Sequence, residues 1–152
     1  MTEILTLSIG IGLAIGLLFA ELFGIAAGGM VVPGYMALYL SHPLDVAMTI
    51  VAALVAYGLV KLFSPFLLLY GRRRTALTIL IGYLVGILIR FVFPDTSIFF
   101  GQEFQVVGYI IPGLLAIWMD RQGLIETIAT LLIVAVIIRL VLIITIGEDI
   151  IV

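Results

Sequence analysis

Three charged side chains, Glu21, Arg90 and Arg139, lie inside or near the ends of otherwise apolar stretches. An ionised group in the hydrocarbon of a membrane costs about 2.5–3.5 kcal/mol on insertion scales, so it should face protein, water or an opposite charge. Guanidinium groups placed in this way are suited to binding carboxylates. We therefore predict that these three residues line a substrate path.

Each of the three also has a structural interpretation that the sequence leaves open. Glu21 can reach the membrane interface from the end of its stretch, and Arg90 can extend to the lipid headgroups. Arg90 can also pair with Glu21. Arg139 lies deeper in its stretch, where it can form a structural ion pair instead of a substrate contact.

A compact basic segment, Arg72, Arg73 and Arg74, follows Gly71. Basic residues beside a membrane set topology and attract anionic lipids by about 1 kcal/mol each. The same three arginines are candidates for docking a cytoplasmic partner or a polyanion.

Catalytic motifs are absent from the sequence. The only lysine, Lys61, is not part of a phosphate-binding loop, and there is no cysteine and no G-x-S-x-G serine motif. The only histidine, His42, has just Asp45 near it, which is a weak metal pattern. We expect no metal, no cofactor and no catalytic residue on this chain, so any ATP-driven chemistry belongs to another chain.

The composition predicts a protein whose solvent is lipid. Of 152 residues, 64% are hydrophobic and 11% are charged, whereas soluble domains are about 45–50% apolar and about 25% charged. The net charge of −2 argues against a nucleic-acid partner. We predict an all-α integral membrane protein with a single transmembrane domain over residues 1–152.

Four long apolar stretches predict transmembrane helices, since about 20 helical residues cross a hydrocarbon core of about 30 Å. They run from Ile4 to Phe23, from Leu44 to Phe63, from Thr75 to Phe93 and from Leu124 to Ile146.

Two shorter apolar stretches, Gly28 to Leu40 and Val106 to Met119, each contain a Pro-Gly pair. Proline removes an amide hydrogen and glycine loosens the backbone, so we predict helix breaks at Pro33-Gly34 and at Pro112-Gly113. Broken backbone at membrane depth must be buried in protein or line a wet cavity. These stretches are predicted to be re-entrant or discontinuous helices.

The two short stretches also resemble each other. Gly29, Pro33, Gly34 and Ala37 align with Gly108, Pro112, Gly113 and Ala116. We predict two tandem structural repeats, approximately residues 1–74 and 75–152, an arrangement that points to a transport or binding site between the halves. Small-xxx-small spacings such as Gly12 to Gly16 predict close helix packing and favour homo-oligomers or partner complexes.

The distribution of basic residues predicts orientation. Lys61 and the three consecutive arginines place the loop 64–74 in the cytoplasm. If the short stretches return to the side they entered, there are four spans and both termini are cytoplasmic. If they cross fully, there are six spans, the repeats are inverted and the N-terminus is outside.

Three motifs carry a resemblance to a known family: Gly29-Met-Val-Val-Pro-Gly-Tyr35, Leu69-Tyr-Gly-Arg-Arg-Arg74, and Ile110-Ile-Pro-Gly-Leu-Leu-Ala116 followed by Arg121-Gln-Gly-Leu124. In this order they resemble the PgsC/CapC family of membrane subunits of bacterial poly-γ-glutamate synthesis. The resemblance covers nearly the whole chain.

The resemblance implies a multi-pass subunit of the bacterial cytoplasmic membrane within a synthase and export complex for capsule or released polymer. Its implied partners are a cytoplasmic ATP-dependent amide ligase (PgsB/CapB), which holds ATP and a divalent metal, and an outward-facing membrane protein (PgsA/CapA). The resemblance also implies that the subunit helps to pass the polyanionic chain across the bilayer. Two alternatives stay open: a stand-alone secondary transporter of small anions, and a non-conducting membrane scaffold for the ligase.

Overall fold

A computed structural model describes residues 2–41, 43–66, 71–92 and 107–147, without the side chains of residues 44, 90 and 107–109. These ranges form six α-helices and contain no β-strand, so the all-α prediction is confirmed. The helices are α1 (Thr2–Phe23), α2 (Val32–Tyr39), α3 (Pro43–Phe63), α4 (Arg72–Val92), α5 (Val107–Gln122) and α6 (Leu124–Ile146).

Three helical stretches of the described chain are long and apolar enough to cross a membrane: Thr2–Phe23, Asp45–Phe63 and Leu124–Ile146. The helix α4 has 21 residues but begins with three arginines, and it is not among them. The prediction of four long spans is therefore met for three helices, and the fourth stays a prediction.

The first short stretch is interrupted before its proline, at residues 24–31, so the break predicted at Pro33-Gly34 is wrong in position: α2 runs through both residues. Gly24, Gly28 and Gly29 have φ angles of 68°, 79° and 117°, which L side chains rarely adopt, so residues 24–31 cannot continue α1 as a helix. The helix α2 then starts at Val32 with Pro33 in its first turn, a position that proline tolerates. Its 8 residues rise about 12 Å, less than half of a hydrocarbon core.

The second short stretch is not interrupted at its proline, so the predicted break at Pro112-Gly113 is wrong. The helix α5 continues through Pro112 for 16 residues. Pro112 lies in the second turn of α5, where its missing amide hydrogen removes one backbone bond near the helix start.

The two short helices form the centre of the bundle. The helix α2 packs against α1 and α6, and α5 packs against α4 and α3. Their side chains meet in one buried cluster that includes Val32, Met36, Leu115 and Met119. Large apolar side chains remain exposed on α1 and α4, for example Leu18 and Leu88, as expected for surfaces that face lipid.

Candidate functional site

Arg139 on α6 lies against the carboxyl end of α2. Its Nη1 donates hydrogen bonds to the Ala37 carbonyl at 3.1 Å and to the Leu38 carbonyl at 3.2 Å. The last carbonyls of a helix lack intrahelical partners and carry partial negative charge, so a cation there is favourable. The half-buried Arg139 side chain therefore stabilises the end of α2 across the bundle.

Gln122, the last residue of α5, holds the other end of the interrupted segment. Its Oε1 accepts a hydrogen bond from the Ala26 amide at 3.1 Å, and its Nε2 donates to the Ala26 carbonyl. Nε2 also approaches Thr127 Oγ1 at 3.2 Å. Ala26 lies outside the helices, so its amide and carbonyl have no intrahelical partners. The side-chain amide of Gln122 bonds both of them.

Close backbone contacts seat both short helices. The buried Ser8 hydroxyl of α1 donates to the Gly34 carbonyl at 2.8 Å. A Cβ atom added at Gly12 would lie 2.8 Å from the Gly34 Cα. In the other half, a Cβ added at Gly82 would overlap the Gly113 backbone. In both places the glycines permit a contact that no other residue allows.

One end of the bundle is basic, and we call its exposed cations the basic face. The Ala26–Gln122 and Arg74–Asp120 contacts bring the end of α1, the start of α4 and the end of α5 to this same side. The basic face consists of Lys61, Arg72, Arg73 and Arg121, all exposed. These side chains are accessible to an anionic partner or polymer.

Arg74 differs from its two neighbours. Its Nη2 forms a salt bridge with Asp120 Oδ1 at 2.7 Å, and the side chains are 32% and 28% exposed. A shallow cleft of about 190 Å³ lies beside this pair, lined by Gly71, Arg74, Thr75, Thr78, Ile117, Asp120 and Arg121. The Arg121 guanidinium lies 5.8 Å from the centre of the Trp118 ring, a distance at which a cation–π interaction orients it.

The predicted path residues do not come together in the described structure. Glu21 is exposed in the last turn of α1, at the same end as the basic face. Arg90 lies in the last turn of α4, about 24 Å along the helix from Arg74. The backbone therefore does not favour a pair between Glu21 and Arg90, and the path role of both stays a prediction.

His42 lies outside the described residues. Within the described ranges, no group of three or more His, Cys, Asp or Glu side chains could hold a metal ion. The Pro33, Gly34, Pro112 and Gly113 positions are all buried, so these motifs serve as packing contacts in the centre of the bundle.

Sequence reasoning missed Ser8 and Gln122. Ser8 precedes Gly12 and Gly16 at four-residue spacing, so the small-residue face of α1 could have included it. Gln122 belongs to a polar turn, and no local pattern predicts that it contacts Ala26, which is 96 residues away.

Together these features define a helical bundle with three stretches long and apolar enough to cross a membrane and with a basic end. The family model described as capsule biosynthesis CapC matches residues 11–128. The chain belongs to this CapC family.

Two relatives agree with this assignment. The chain is 36% identical over 126 residues to "PGA biosynthesis protein CapC" of Bacillus subtilis strain 168, which covers 82% of this chain and 84% of the relative. It is 36% identical over 129 residues to "Capsule biosynthesis protein CapC" of Bacillus anthracis, covering 83% and 85%. No solved structure matches the chain.

Proposed function

We propose that this chain is the membrane subunit of a poly-γ-glutamate synthase and export complex in the bacterial cytoplasmic membrane. The observation that carries the proposal is the basic face, whose four exposed cations lie at one end of an apolar bundle. A polycarboxylate, or the acidic surface of a partner, is the chemistry that such a face attracts. The relatives' names, which mention PGA and capsule biosynthesis, support the same product.

The proposed division of labour follows from the absence of catalytic motifs in the sequence. A cytoplasmic PgsB/CapB-like amide ligase holds ATP and a divalent metal and makes the polymer, and a PgsA/CapA-like protein faces outward. This chain holds the ligase at the membrane and helps the polymer to cross, either as a single copy or as a homo-oligomer. Glu21, Arg90 and Arg139 are the proposed path residues.

We further propose an inverted arrangement of the two halves, residues 1–74 and 75–152, with four long spans and two short crossings. Two parallels support this. Each short helix packs on the first helix of its own half and the last helix of the other half. The glycine contacts Gly12–Gly34 and Gly82–Gly113 occupy corresponding places in the two halves.

The test is the double substitution Arg72→Gln with Arg73→Gln, made in a tagged chain expressed in its native membrane. Losing two exposed ion pairs, at roughly 0.5–1 kcal/mol each, should weaken binding of the partner or polymer about five- to thirty-fold. The measurements are ligase recovery on co-purification and incorporation of labelled glutamate into polymer with ATP.

The matched control is Arg72→Lys with Arg73→Lys, which keeps both charges and should retain polymer synthesis. Full polymer yield from the Gln variant would contradict the role of the basic face. If the chain is recovered alone and purified chain in liposomes moves glutamate, the small-anion transporter replaces the proposal. If loop changes abolish secretion while Arg90→Ala and Arg139→Ala do not, the chain is a scaffold.

A further inference from the structure

The interrupted segment, residues 24–39, is held in place by side chains of the second half of the chain. Gln122 bonds both backbone groups of Ala26 at its start. Arg139 bonds the Ala37 and Leu38 carbonyls at its end. Between these points, the segment is seated on α1 by the Ser8–Gly34 bond. Polar contacts from distant residues therefore fix the two ends of the segment, and the helix α2 is buried against α1 and α6.

The helix α2 cannot hold this position through its own backbone. An isolated helix needs about 12–15 residues to be even marginally stable in water, and α2 has 8. Its C-cap residue, Leu40, has helical φ and ψ angles of −60° and −22°, so no left-handed glycine satisfies the last carbonyls. The Ser41 hydroxyl donates to the Leu38 carbonyl at 3.4 Å, and Arg139 supplies the donor for the Ala37 carbonyl and a second donor for that of Leu38.

Arg139 is bound here by weaker acceptors than a carboxylate. Arg74 binds the Asp120 carboxylate, whereas Arg139 donates its hydrogen bonds to the neutral carbonyls of Ala37 and Leu38. Hydrogen bonds between guanidinium and carboxylate are roughly twice as strong as those between neutral groups and are often bidentate. A carboxylate that reaches the half-buried guanidinium can therefore compete with the α2 carbonyls.

We propose that Arg139 is a positioning residue that clamps the carboxyl end of α2 and releases it to a competing carboxylate. The inference rests on the proposed function for the identity of that carboxylate, a side chain of the glutamyl polymer. Release frees the end of α2 and the turn that follows it, while Gln122 keeps the start of the segment fixed. The clamp links the presence of polymer to movement of the interrupted segment.

The chain has no cysteine, so one introduced thiol is the only one that a maleimide can label. Ala37 is fully buried in α2, so a thiol at this position becomes accessible when the end of α2 is released. The Ala37→Cys protein, purified in lipid nanodiscs, is labelled with a water-soluble maleimide in three forms: with Arg139, with Arg139→Lys and with Arg139→Gln. Loss of the charged donor should raise the labelling rate about tenfold in the Gln form, and the Lys form should stay close to the Arg139 form.

Poly-γ-glutamate of defined length is then added, with dextran as the uncharged polymer control. Labelling of the Arg139 form should accelerate with poly-γ-glutamate and not with dextran, and the Gln form should not respond. A second control, Arg121→Gln, removes an arginine at the opposite end of the bundle and should leave Ala37→Cys labelling unchanged.

Two outcomes would contradict the proposal, one for the clamp and one for its release. Equal labelling of the Arg139 and Gln forms would show that Arg139 does not hold α2. Fast labelling of the Gln form, together with no acceleration of the Arg139 form by poly-γ-glutamate, would show that a carboxylate does not release α2. Because these rates are measured on purified chain without ligase, a failure of the proposed synthase partnership in co-purification would leave them interpretable. Thermal denaturation of each form identifies any variant that fails to fold, and the Lys form still tests the clamp.

Discussion

A methyl group at Gly12 would lie 2.8 Å from the Gly34 Cα and 3.0 Å from the Gly34 amide nitrogen. Backbone cannot move aside as the end of a flexible side chain can, so α1 and α2 would have to separate. We expect Gly12→Ala to lower the free energy of unfolding by about 1–3 kcal/mol, measured as thermal denaturation in detergent. Gly10→Ala is the matched control, since nothing lies within 4 Å of a Cβ at that position. Equal stability of both variants would contradict the packing described for α2.

The salt bridge between Arg74 and Asp120 joins α4 to α5 at 2.7 Å but is partly exposed. Pairs of this kind contribute about 0–1 kcal/mol, so Asp120→Asn should change the thermal stability little. The substitution removes one negative charge from beside the basic face and frees Arg74. We therefore expect tighter and more salt-sensitive binding of poly-γ-glutamate, measured on immobilised nanodiscs at two salt concentrations. Arg74→Gln should have the opposite effect, and unchanged binding in both variants would exclude this end as a polyanion surface.

The two Pro-Gly motifs show what local sequence can predict about a helix. Pro33-Gly34 and Pro112-Gly113 are identical pairs, yet one begins a helix and the other lies inside one. The difference comes from the residues before them. Gly28 and Gly29 adopt φ angles of 79° and 117°, which end helical continuity, whereas the aligned residues Val107 and Gly108 are already part of α5. The interruption therefore follows from the left-handed backbone at Gly28 and Gly29, and neither the proline nor a preceding glycine alone predicts it.

The candidate site could be predicted only in part, because some of its contacts join residues that are far apart in the sequence. An apolar run of about 20 residues is a local sequence pattern, and so is a cluster of three arginines. The long apolar helices and the basic segment Arg72 to Arg74 could therefore be predicted. The partner of Arg139 is not, because Ala37 lies 102 residues away and offers a backbone carbonyl instead of a side chain. A buried cation signals that an acceptor exists, and only the packing of α6 against α2 identifies it.

The path of the chain through the bundle makes a prediction about membrane topology. Pro33 lies beside Gly16 of α1, and the next residue, Gly34, lies beside Gly12 and Ser8. The helix α2 therefore runs antiparallel to α1 and brings Ser41 to the same end as Thr2. The basic face lies at the opposite end, beside Pro65. If residues 24–39 cross the membrane in this way, there are six crossings and both termini lie outside when the basic face is cytoplasmic.

Single thiols in this cysteine-free chain can distinguish the two topologies, since both termini lie on different sides of the membrane in the two cases, whereas Ser41 and Pro65 do not change side. With six crossings, Thr2→Cys and Ser41→Cys should both react with an impermeant maleimide added outside intact cells, and Pro65→Cys should react only after lysis. With a re-entrant segment, Thr2→Cys should instead be protected together with Pro65→Cys, while Ser41→Cys remains reactive. Protection of Thr2→Cys would therefore rule out the inverted arrangement, because each half would then cross the membrane an even number of times.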